Sequence, residues 1–169
     1  MATVSPENTW SYTLNLPNDP RSAWIARITL RGVLSSHELN ELRDDAELLT
    51  SELVTNAYRY SDGPVELRIR ELPEEGVRIS VWDTNPDIPE PFDRPAIRPV
   101  APRRAAETTY GRGLLIVRRC ADNWGSHSFG EGWSGPGFRG KWLWCELGAK
   151  RAVGGGARRR KVTPLVGGA

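Results

Sequence analysis

Only two cysteines, Cys120 and Cys145, and two histidines, His37 and His127, occur among the 169 residues. They fit no short metal-ligand spacing, which argues against a zinc site and leaves two buried free thiols and a reducing cytoplasm as the expectation. No apolar run approaches the ~20 residues that span a bilayer. No basic segment followed by an apolar core opens the chain, so neither a membrane span nor a signal peptide is expected. The motifs G-x-x-x-x-G-K-[ST] and G-x-G-x-x-G are also missing, which excludes a P-loop and a Rossmann fingerprint. There is no internal repeat.

What is present reads as one soluble domain, with 38% hydrophobic and 26% charged residues. The net charge of +2 conceals an asymmetry. Lys150, Arg151, Arg158, Arg159, Arg160 and Lys161 follow Ala149 with no acid among them, and without them 17 basic residues face 21 acidic ones. Residues 1–9 read as an extension, 10–149 as the domain, and 150–169 as a basic, Gly-rich disordered tail. Because the acidic body shows no matching basic pattern, direct nucleic-acid binding is not expected.

Trp10, Tyr12, Leu14 and Leu16 alternate as in a strand. Asn18-Asp19-Pro20 signals a helix start, with Trp24, Ile25, Ile28 and Val33 following at helical spacing. Residues 39–60 form a second helix, stopped by Ser61-Asp62-Gly63-Pro64. A hairpin comes next, its apolar face Val65, Leu67, Ile69 and then Val77, Ile79, Val81. Residues 84–110 hold six of the 13 prolines and no apolar period, the pattern of a lid or mobile loop. A short helix in GRGLLIVRRC and two closing strands, 124–129 and 139–147, complete the chain. With one apolar face per sheet, the fold class is α/β (α+β): a two-layer sandwich with a mixed, mainly antiparallel sheet and helices on one face.

Three constellations could carry chemistry. In ELVTNA, Asn56 lies about 20° from Leu49 around the helix axis and Glu52 about 60° from it, so an amide and a carboxylate share the apolar stripe. Either neighbouring backbone satisfies Asn56 while Glu52 escapes to solvent, or both face a polar cavity; an amide oxygen and a carboxylate are ligands that suit Mg²⁺. Asp83 continues the apolar face of VRISVWD, and either caps the turn after it or accepts a hydrogen bond from a ligand amine. Gly111, Arg112 and Gly113 open a helix where backbone N–H groups could meet a phosphate.

This order of motifs (E-x-x-x-N, a hairpin ending in VWD, a long loop, GRGLLIV, then GKWLWCEL) resembles the GHKL ATP-binding domain of gyrase, histidine kinases and mismatch-repair ATPases. It looks most like the single-domain anti-sigma-factor serine/threonine kinases and their actinobacterial relatives, over residues 10–147. The resemblance implies ATP and Mg²⁺ as cofactors. It casts Asn56 as the Mg²⁺ ligand, Glu52 as the acid that activates the attacking hydroxyl, and Asp83 as acceptor of the adenine amino group. Asn85, Gly111, Arg112, Gly113 and Leu114 fall in the matching nucleotide-binding segments, and residues 84–110 match the ATP lid. The implied activity is transfer of the γ-phosphate to a serine of an anti-sigma-factor antagonist, with a sigma factor as a second partner and, as in many relatives, a homodimer.

The sequence also departs from that pattern. The glycines of Asp-x-Gly-x-Gly are replaced in Asp83-Thr84-Asn85-Pro86-Asp87, Tyr60 stands where relatives often have histidine, and Trp142 stands where a threonine helps to hold the adenine. These departures motivate the alternative of a non-catalytic protein-binding regulator that keeps the fold with weak or no ATP binding.

Overall fold

The computed structural model describes residues 9–73, 75–90, 92–93, 112–129 and 139–148. Most of the lid segment, Gly111, the N-terminal eight residues and the basic tail lie outside them.

β2 (Val65–Leu72) and β3 (Gly76–Asp83) form the expected hairpin. β1 (Ser11–Leu16) adds to one side of it, and β5 (Gly140–Gly148) and β4 (Asn123–Phe129) add to the other, in the order β1-β2-β3-β5-β4. All four of these pairings are antiparallel. The β3–β5 register decides which side chains meet at the end of the sheet. Opposite each other stand Val77 and Leu147, Ile79 and Cys145, Val81 and Leu143, and finally Asp83 and Lys141. All eight side chains are buried. The first three rungs are apolar and the last is charged.

α2 (Arg43–Tyr60), entered through a 3₁₀ turn at Asn40–Leu42, lies at the centre of the layer that covers this face. Its buried residues include Ala46, Leu49, Leu53 and Ala57, spaced three and four apart as one helical stripe requires, with Val54 widening the stripe. Each fully buried Leu or Val stabilises the fold by roughly 1.5–3 kcal/mol. α3 (Arg112–Cys120) packs beside α2 through Leu114 and Val117.

α1 (Ser22–Ser36) packs on α2, and here the apolar spacing misleads. Trp24, Ile25 and Ile28 are exposed and Val33 only half-buried, whereas Ala26, Leu30 and Leu34 are fully buried at i, i+4, i+8. Both stripes have helical period. The inner stripe is the one that packs against α2, and at its edge Arg31 meets Glu47 of α2 in a two-pronged ion pair at 2.7 Å for each contact.

The described start of the long segment after β3 is pinned to the sheet. Phe92 is buried in the core, its carbonyl accepts from Ser126 Oγ at 3.0 Å, and Pro86 O accepts from Ser128 Oγ at 2.7 Å. Residues 84–93 therefore belong to the scaffold as far as they are described.

Candidate functional site

Between α2, α3 and the ends of β3 and β5 lies a cleft of about 340 Å³. Glu52, Asn56, Asn85, Gly113 and Leu114 line it, together with Thr55, Arg59, Tyr60 and Lys141. Residues far apart in sequence are thus gathered at one place. Of the polar pair on α2, Glu52 is half-buried and Asn56 buried, both toward the cleft rather than into the core proper.

Asn56 Oδ1 is shielded from solvent and has no hydrogen-bond partner among the described residues. An orphaned amide oxygen of this kind costs about 1–3 kcal/mol, which a cation in the cleft would recover. Gly113, the second residue of α3, is held against Glu52. A Cβ at position 113 would lie 2.7 Å from Glu52 Cδ and closer still to Oε2. Only glycine lets the start of α3 approach the carboxylate this closely. An oxygen-ligand set beside a helix N-terminus suits a Mg²⁺–phosphate group. Gly111 and the Arg112 side chain lie outside the described residues.

Asp83 is placed differently from the expectation. It ends the buried column of β3 with its side chain 2% exposed, and it does not line the cleft. Its Oδ1 accepts from the Asn85 backbone N–H at 2.8 Å and from Lys141 Nζ at 2.9 Å. Lys141 Nζ also donates to Asn85 O at 2.9 Å. Burial pushes the Asp83 carboxyl above its ordinary range, against the lowering pull of the Lys141 ammonium and of the Asn85 N–H. Thus the turn-capping reading of Asp83 is the one the contacts show, with Lys141 standing between it and the cleft.

Asn85 replaces one missing glycine and does so structurally. Its Nδ2 donates to Tyr60 O at the end of α2 (2.8 Å), and its Oδ1 accepts from Asp87 N (3.0 Å). Trp142 does not line the cleft. The alternation along β5 turns Lys141 and Leu143 inward, and Trp142 lies on the helix-free face under the Arg68 guanidinium, 4.5 Å from the ring centroid.

Lys141 and Arg59 join the site without having stood out in the sequence. A signal for Lys141 exists, since it directly precedes Trp142 in GKWLWCEL and falls opposite Asp83 once the strands are paired. Arg59 is three residues after Asn56, and so on the same side of α2.

A search of curated proteins finds no match. Comparison with protein families matches residues 41–158, which include α2, the hairpin, α3 and the two closing strands. The chain belongs to the histidine kinase-, DNA gyrase B- and HSP90-like ATPase family, and the five-stranded antiparallel sheet and three α-helices of its described residues form an α/β sandwich of that GHKL type.

Proposed function

We propose that this chain is an ATP- and Mg²⁺-dependent serine/threonine kinase that regulates a sigma factor by phosphorylating a serine of an anti-sigma-factor antagonist. One observation carries the reading: Glu52, Asn56 and Gly113 line a single cleft, with the Glu52 carboxylate lodged against the glycine that opens α3. When bound, Mg²⁺ would supply positive charge that neutralises the triphosphate during transfer. Asn56 supplies it with the amide oxygen that is otherwise orphaned. The N-terminus of α3 orients the phosphates by its N–H groups. Glu52 takes the proton of the attacking seryl hydroxyl as its oxygen bonds to the γ-phosphorus and the bond to the ADP oxygen breaks.

The test is transfer of labelled γ-phosphate from ATP to a cognate antagonist. Glu52→Ala is expected to lower the rate by on the order of 10²–10⁴-fold while leaving Mg·ATP binding largely intact, and Asn56→Ala to abolish the thermal stabilisation by Mg·ATP. Unchanged transfer by Glu52→Ala refutes the catalytic assignment. The second reading, a regulator acting by protein contact, is favoured by the Lys141–Asp83 pair, which occupies part of the carboxylate that would read adenine. It predicts no stabilisation of the wild type by Mg·ATP.

A further inference from the structure

The helix-free face of the sheet holds another cavity, remote from the chemistry proposed above. The strand register sets Asn15, Glu66, Trp82 and Trp142 side by side across β1, β2, β3 and β5. They line a trough of about 430 Å³, to which Phe129 of β4 also contributes. Twice on this face a guanidinium lies over an indole while a glutamate holds it. Arg68 is 4.5 Å from the Trp142 ring centroid, and its Nε donates to Glu66 Oε1 at 2.5 Å. Arg78 is 4.2 Å from the Trp144 ring centroid, and its Nε donates to Glu146 Oε1 at 2.6 Å. Trp82 is the remaining tryptophan of β3 and β5, and among the described residues no guanidinium covers it. Glu66 Oε2 likewise accepts no hydrogen bond among those residues. Ring faces attract a cation, and a carboxylate can accept from a second donor. The trough is therefore built for one more positively charged side chain.

We propose that its occupant is the chain's own basic segment, with one of Arg158, Arg159 and Arg160 laid over Trp82 and donating to Glu66 Oε2. Charge favours this guest. Residues 1–149 carry 17 basic against 21 acidic side chains, whereas residues 150–169 carry six basic and no acidic ones. Length allows it. β5 bears Trp142 near its start and ends at Gly148, so the segment leaves the sheet at the far end of that strand. The way back to Trp142 is six residues of strand, roughly 20 Å. Ten residues of chain lead from Gly148 to Arg158, and these reach ~33 Å when extended.

Nitrogen-15 relaxation on the full chain tests this. Docking is expected to hold the backbone order parameters of Arg158–Arg160 above the ~0.6 that marks a flexible segment. Glu66→Gln and Trp82→Leu are each expected to drop them below that value. Changing all three arginines to glutamine leaves the sheet's own residues intact, and is expected to move the Trp82 indole N–H resonance but not that of Trp144. Low order parameters at 158–160 in the wild type overturn the proposal. So does order that survives Glu66→Gln, or a Trp82 resonance that ignores the loss of the arginines; both readouts stand even if Trp82→Leu folds poorly. Order that vanishes on about tenfold dilution assigns the guest to a second copy of the chain, and that also overturns it.

Discussion

Replacing Lys141 by methionine keeps a similar length and volume but removes the ammonium from a rung whose two side chains are 1% and 2% exposed. Asp83 is then left with a single donor, the Asn85 N–H, and Asn85 O loses the Lys141 donor. Breaking a buried pair by deleting one partner costs about 3–5 kcal/mol, because the surviving charge is stranded. Against a total stability of ~5–15 kcal/mol that is a large fraction, and it corresponds to a fall in Tm of roughly 10–20 °C for a domain of this size. The loss depends on pH with a definite sign. Burial already raises the folded-state pKa of Asp83 above its unfolded value, and removing Lys141 raises it further. A carboxyl raised in this way favours the fold fully below its unfolded pKa of ~3.9 and loses that contribution as pH rises through the folded value. The gap between wild type and Lys141→Met therefore widens from pH 5 to pH 7.5, and Asp83→Asn in the same chain recovers part of it. Urea titrations followed by tryptophan fluorescence at both pH values measure the gap. A cost below ~1 kcal/mol at pH 7.5, or a gap that widens toward acid, would refute the argument from a stranded charge.

Three further outcomes are expected from the packing. Leu30→Ala should cost about 2–5 kcal/mol, whereas Trp24→Ala on the exposed side of α1 stays within ~0.5 kcal/mol; denaturant titrations giving the reverse order would contradict the assigned helix face. Gly113→Ala gains ~1 kcal/mol of helix propensity and spends a similar amount displacing the Glu52 side chain from its rotamer. Its Tm should thus barely move, while phosphate transfer falls by on the order of 10²-fold through mispositioning. Equal transfer in the two proteins would sink the idea that Glu52 acts from that position. Complete burial pushes the Cys145 thiol well above its ordinary value, so at pH 8 iodoacetamide should modify it only on unfolding. Rapid native-state labelling at Cys145, read by mass spectrometry, would show that the strand opens locally.

The hairpin is plain in the sequence because Val65–Ile69 and Val77–Val81 alternate cleanly with polar residues, and a period of two has one inward phase. Asn56 is legible for a related reason: an amide inside an apolar stripe has to be explained by something polar. β5 is not legible. Trp142, Leu143, Trp144 and Cys145 are all apolar, so alternation gives no phase, and the inward position falls to the one residue, Lys141, that hydrophobicity would place outside. Only pairing with Asp83 reveals why a lysine is tolerated there. α1 fails differently. It carries two apolar stripes, and the small Ala26 in the buried one weighs less in a sequence reading than the exposed Trp24. The site itself is readable as separate pieces, and what the sequence could not supply is the cross-strand rung that puts a cation in front of Asp83.

The turn after β3 lacks the family's glycines, and it is held by side chains in relay: Asp83 accepts the N–H of Asn85, Asn85 accepts the N–H of Asp87, and Asn85 also reaches the end of α2. Each link is a local closure two residues long, of the kind asparagine and aspartate favour. A wall built from such links keeps one shape before and after a ligand arrives. Association at this end of the cleft should accordingly be a single bimolecular phase, linear in ligand concentration, with no slow ordering step contributed by residues 83–87.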